Sequence, residues 1–203
     1  MVVLVSVIIF DGLILINHYH LNWNSSSLQY EKLSYRYPKD WTRTNESIPF
    51  PKYKKYCTYP GEDYVTLKSP SGSQVVMLAG QACPDPLQSK IFASVPIKTF
   101  GKNMFVVMQA PLGLIKTTPT NATSACLARS SHPANVFDLP SRNVNTNHKA
   151  AGNNVASNSF CFIPAKPKKS KADKNSLPAF TPQQIESMQD FNTAKSIFET
   201  MHY

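Results

Sequence analysis

Four cysteines, Cys57, Cys83, Cys126 and Cys161, are the residues whose type most readily supports chemistry. They contain no Cys-x-x-Cys pair, and His132, the nearest histidine, lies too far along the chain to complete the close-paired ligand spacing of a zinc site. In an exported protein an even, widely spaced set reads as two disulfides. Three connectivities are open. Neighbouring cysteines close the shorter loops, which favours Cys57–Cys83 together with Cys126–Cys161. Each bridge would stabilise by roughly 3–4 kcal/mol on the chain-entropy account. Four buried thiols in a cytosolic chain are the alternative.

Other reactive residue types do not converge. Glu62 and Asp63 are adjacent and point to opposite faces of a strand, so they form no acid/base pair. His18 and His20 share one extended segment, but two ligands do not make a metal site. His132 and His148 lie in a polar loop and His202 is penultimate, so none is oriented by a rigid strand end. A Ser/His/Asp arrangement is defined by geometry and not by order, yet no histidine here is placed to serve one. Met104 and Met108 read as core filler. A Gly-x-Ser-x-Gly elbow, a His-Glu-x-x-His pair, a P-loop and a dinucleotide fingerprint are all missing from the sequence. The expectation is a non-enzymatic chain with no cofactor and no metal.

Charge points instead to partners. Lys and Arg number 21 against 12 Asp and Glu, a net charge of +9, which attracts anionic surfaces without choosing among lipid, polymer and nucleic acid. Lys52, Lys54 and Lys55 alternate with aromatics, an interleaving that single-stranded nucleic-acid binding uses. With no recognised RNA- or DNA-binding module beside it, a Pro-rich edge segment with a solvated basic face is the simpler reading. Lys166, Lys168, Lys169, Lys171 and Lys174 crowd the segment 164–176. That run reads as a solvated basic loop with weak affinity for anionic polymers, not a nuclear-localisation signal.

The elements that would position these residues follow from the chain pattern. Residues 1–21 are apolar apart from Ser6, Asp11-Gly12 and a few polar positions near the end. A span needs about 20 such residues, and Asp11 near its centre costs roughly 2.5–3.5 kcal/mol. No basic n-region, Ala-x-Ala site or lipobox cysteine accompanies it, so it reads as a signal anchor whose start lies upstream. A buried strand or helix of a soluble domain is the alternative. Residues 22–29 read as a juxtamembrane spacer, with Trp23 at the interface and Asn24-Ser25-Ser26 as a leash. The folded domain then runs from residue 30 to 203.

Within it, Leu33, Tyr35 and Tyr37 alternate as one strand face, Pro38 ends the strand and Trp41 folds over it. Glu62–Lys68 and Ser73–Leu78 flank the turn Ser69-Pro70-Ser71-Gly72 as a hairpin. Further strands are expected at 90–97, 103–110, 125–129 and 159–163, with a long polar loop at 130–158. Thr181-Pro182 opens a helical turn, and Ala194, Ile197, Phe198 and Met201 fall on one helical stripe.

Two of these stretches carry a resemblance. Tyr37-Pro38-Lys39-Asp40-Trp41 after a strand is similar to the opening of PsbP-like domains of the Mog1/PsbP fold. Phe191 to Tyr203 resembles their closing helix and last short strand, and Thr66-Leu67-Lys68-Ser69-Pro70-Ser71-Gly72 adds to the likeness. The resemblance implies an α+β fold, an antiparallel sheet covered by the C-terminal helix and preceded by a membrane-anchor helix. It also implies a non-enzymatic accessory or binding module of a small membrane-anchored bacterial protein. The expected function is thus a single-pass, membrane-tethered module outside the cytoplasm, contacting an anionic polymer or protein partner. Alternatives are a cell-surface hydrolase or small-ligand binder with a pocket between sheet and helix, and surface nucleic-acid binding.

Overall fold

The structure, a computed structural model, describes residues 22–29, 32–45, 63–81, 89–111, 121–132, 157–166 and 179–203. Side-chain alternation builds its first element. In β2 (Leu33–Pro38) Leu33, Tyr35 and Tyr37 are buried while their neighbours are half-buried. That strand pairs antiparallel with β1 (Trp23–Leu28), Leu28 opposite Leu33 and Trp23 opposite Pro38. Trp41 follows the turn after β2 and is 5% exposed.

Seven further strands form the main sheet: β3 (Thr42–Asn45), β4 (Asp63–Lys68), β5 (Gln74–Gln81), β6 (Ser89–Thr99), β7 (Lys102–Pro111), β8 (Ser124–Ala128) and β9 (Ser157–Ile163). Their order across the sheet is β3-β4-β5-β9-β8-β7-β6, every neighbour antiparallel. The β4–β5 turn needs Gly72, whose φ of 98° is a conformation that L side chains rarely adopt. In the β6–β7 turn Phe100 and Gly101 both have positive φ, 53° and 69°, the two-residue geometry that matches strand twist. A phenylalanine there costs about 1–2 kcal/mol of backbone strain. Its ring is held by Tyr203, stacked at 5.2 Å, and Phe160 at 6.4 Å.

Two helices close the chain. Thr181 caps α1 (Pro182–Glu186) by a reciprocal capping box with Gln184, Pro182 standing in the first turn. The second, α2 (Gln189–Glu199), buries Phe191, Ala194, Ile197 and Phe198 completely. It lies against β6, β2 and β9, with the Phe191 ring 5.7 Å from Phe162. The chain then returns to β2 through backbone bonds between His202 and Ser34. One face of the main sheet, the β1–β2 ribbon and α2 thus enclose a single core that includes Leu67, Met77, Val106 and Leu127.

The α+β expectation is corrected. The described chain is 58% strand and 15% helical, mostly β-sheet with two short helices near its C-terminus. The reason is that nine strands pair among themselves through ladders that composition does not advertise, while the apolar helical stripe extends over only 11 residues. Residues 22–29 are a second correction. They form β1 rather than a spacer, because strand pairing is made by backbone groups and tolerates a run of Asn and Ser. Trp23 is half-buried against the core and Leu28 is fully buried. Strand β9 starts at Ser157, inside the expected 130–158 loop. Among the described residues no helix is long and apolar enough to cross a membrane; the expected anchor, residues 1–21, lies outside them.

Candidate functional site

The seam between β8 and β9 is where reactive groups meet. Only two residue pairs align across it, Ala125 with Phe162 and Cys126 with Cys161, fewer than in any other ladder of the sheet. The seam therefore divides the sheet into β3-β4-β5-β9 on one side and β8-β7-β6 on the other. Cys126 and Cys161 face each other with Cα atoms 4.0 Å apart and are joined by a disulfide. It supplements a ladder too short to hold much by itself.

The bond lies on the sheet face opposite α2, since Leu127 and Phe160 belong to the helix-side core while Cys126 packs with Val107 and Ala128. Polar groups gather around it. Gln109 of β7 is 4% exposed and donates from Nε2 to Cys126 Sγ at 3.0 Å. Its Oε1 is buried with no hydrogen-bond partner among the described residues. The Ser124 hydroxyl lies 3.8 Å from Cys126 Sγ, and the Ser159 hydroxyl 3.4 Å from Cys161 Sγ. A bonded sulfur carries no proton, so the amide and both hydroxyls are the donors. Cys126 is 1% exposed, whereas Cys161 is half-buried.

A second polar cluster joins the β4–β5 turn to the start of α2. Asp190 accepts from the Ser69 hydroxyl at 2.7 Å and from Ser71, which in turn lies 3.4 Å from the Ser73 hydroxyl. Ser73 also accepts from the Ala165 backbone at 3.2 Å. Burial pushes the Asp190 carboxyl up, but the hydroxyls of Ser71, Ser69 and Ser73 together outweigh it and hold the carboxyl below its ordinary value. A folded pKa below the unfolded one gives stability that is present above about pH 3.9 and lost as pH falls through the folded value. Asp190→Asn should therefore cost about 1 kcal/mol at neutral pH and flatten the loss of stability in acid. Urea melts of both proteins between about pH 6 and pH 2 check this; parallel pH profiles would remove the latch role. With its carboxyl held below the ordinary value Asp190 is a weak base toward these hydroxyls, and the contacts latch the β4–β5 turn to α2.

The expected site residues separate accordingly. Cys126 and Cys161 are brought together, whereas Cys57 and Cys83 lie outside the described residues, as do Lys52, Lys54, Lys55, Lys168, Lys169, Lys171 and Lys174. Lys166 is exposed just beyond β9, beside the β4–β5 turn, where Ala165 lies 3.7 Å from a Cβ built on Gly72. Lys39, Lys68, Lys98, Lys102 and Arg129 are exposed as well. His18, His20 and His148 fall outside the described residues, and His132 and His202 are both exposed with no acidic partner among them. Among the described residues no group of three or more His, Cys, Asp or Glu could hold a metal ion.

Sequence reasoning missed Gln109, Ser124 and Ser159 around the disulfide, and Asp190 with its serines. Gln109 did carry a signal, as the single long polar side chain in the apolar run 104–110. No family model matches the chain, and neither a curated protein nor a solved structure matches it. The likeness to PsbP-like domains rests on the quoted motifs alone.

Proposed function

We propose that this chain is a non-enzymatic binding module that works outside the cytoplasm, tethered through residues 1–21 and meeting anionic polymers or proteins through its lysine-rich segments. The observation that supports it is the Cys126–Cys161 bond, because structural disulfides persist in oxidising compartments and are rare in the cytosol. The net charge of +9 gives the attraction its sign. A hydrolytic or small-ligand site between sheet and helix is less well supported. There the described contact is largely apolar, Phe162 on Phe191 and the buried Ile197 and Phe198. The buried Thr99 hydroxyl within it is taken up by the Phe198 carbonyl, whereas such pockets carry polar groups converging on a cavity.

The test is retention of the full chain on an immobilised polyanion as salt is raised from about 50 to 300 mM, with the thiols of the freshly isolated protein labelled in parallel. Affinity should fall at least roughly tenfold over that range, and neither Cys126 nor Cys161 should label. Replacing Lys166, Lys168, Lys169, Lys171 and Lys174 by Glu should abolish retention if that loop carries it; Lys52, Lys54 and Lys55 are the second set. Salt-independent binding, or free thiols at Cys126 and Cys161, would overturn the reading.

A further inference from the structure

We propose that Cys126–Cys161 is a thiol–disulfide exchange site, with Cys161 the sulfur that is attacked and Cys126 the sulfur that is released. The inference does not depend on an anionic partner and goes beyond the binding reading.

Three observations carry it. First, the two cysteines differ in exposure: Cys126 is 1% exposed and packed with Val107 and Ala128, while Cys161 is half-buried at the edge of that cluster. Exchange requires a thiolate to reach one sulfur along the bond axis, so access selects Cys161. Second, each sulfur has a hydroxyl near it, that of Ser159 lying 3.4 Å from Cys161 Sγ, but among the described residues only Cys126, the sulfur that must leave, also has an amide donor. Gln109 Nε2 donates to Cys126 Sγ from 3.0 Å, and the Ser124 hydroxyl lies 3.8 Å from the same sulfur. Donors aimed at a developing thiolate favour its charged form and so make it a better leaving group. Gln109 has no other evident occupation, since its Oε1 is buried without a partner among the described residues. A buried amide left half-satisfied costs stability, so a role for its donating end in the exchange accounts for its place in an apolar strand. Third, the bond crosses the seam where only two residue pairs align, so breaking it changes the restraint between the two parts of the sheet.

The chemistry balances with a small thiol as reductant. Its thiolate attacks Cys161 Sγ; the new S–S bond forms as the Cys161–Cys126 bond breaks, and the electron pair leaves on Cys126 Sγ, next to Gln109. A second thiolate then attacks the reductant's sulfur in the mixed disulfide and releases Cys161. Two electrons and two protons have passed to the protein, and the reductant departs as its disulfide.

Glutathione is the probe. The full chain is incubated with it under native conditions, quenched with a thiol-alkylating reagent and mapped by peptide mass. Glutathione should appear first on Cys161, with Cys126 alkylated. Gln109→Leu and the near-isosteric Gln109→Met should form that adduct roughly three- to tenfold more slowly, although a merely structural loss would loosen the fold and speed it. Melting temperatures are recorded alongside to separate the two. Adduct on Cys126, adduct formation no faster than global unfolding, or an unchanged or faster rate in the Gln109 variants would overturn the proposal. Should neither variant fold, the position and rate of the wild-type adduct decide it.

Discussion

Ile197→Asp is expected to abolish the cooperative thermal transition, leaving a chain without a stable core at 25 °C. Ile197 is fully buried on α2 between Ala194 and Phe198, in the core closed by the main sheet. Loss of a buried aliphatic side chain costs about 2–5 kcal/mol by itself. The aspartate must then lose its hydration or its charge, since the core around it is apolar, and either adds several kcal/mol. The sum exceeds the lower part of the roughly 5–15 kcal/mol that stabilises an ordinary domain. Because α2 touches β6, β9 and β2, its loss uncovers both the main sheet and the β1–β2 ribbon. Burial raises the pKa of the introduced carboxyl, so any remaining folded fraction should grow as pH is lowered toward 5. Ile197→Val, which keeps the shape, should cost only about 1 kcal/mol. A soluble Ile197→Asp protein with a sharp melt close to that of wild type would show that α2 is not part of the core.

What the sequence made legible was what lies close together along the chain. Ala194, Ile197 and Phe198 fall on one stripe of α2, and Met201, expected on the same stripe, lies just past the helix end; the structure buries all four. Ser69-Pro70-Ser71-Gly72 sits between two runs that do pair as β4 and β5. The alternation of Leu33, Tyr35 and Tyr37 is the burial pattern of β2. β1 was not legible, because its middle is Asn and Ser and its pairing is made by the backbone. Nor was the balance of sheet to helix: the β5–β9 and β8–β9 ladders join segments far apart in sequence, and local periodicity carries no trace of such pairing. The candidate site suffered most from this. Spacing could favour Cys126–Cys161 through loop length, but Gln109, Ser124 and Ser159 reach the sulfurs only because β7, β8 and β9 become neighbours. Asp190 likewise meets Ser69 across a sequence separation of 121.

Removing that disulfide by the double substitution Cys126→Ala and Cys161→Ala should lower stability by about 4 kcal/mol. The bridge spans a sequence separation of 35, and a loop of that length costs the unfolded chain this much entropy on the chain-entropy account. For a domain of this size the melting temperature should fall by roughly 8–16 °C. Truncation to alanine also removes sulfur from a buried cluster with Val107 and Ala128, which adds to the loss through poorer packing. The effect should be uneven across the sheet. With only two residue pairs at the seam, amide hydrogen exchange should rise most along β8 and β9 at their junction, and least between β6 and β7, whose ladder runs from Ser89 opposite Pro111 to Thr99 opposite Lys102. That gradient distinguishes a covalent staple across a weak seam from a bond that merely shortens the unfolded chain, because the latter would lower protection evenly. A double variant that melts within about 3 °C of wild type would mean that the two parts of the sheet hold together without it, through the core face beneath α2 and the short β8–β9 ladder.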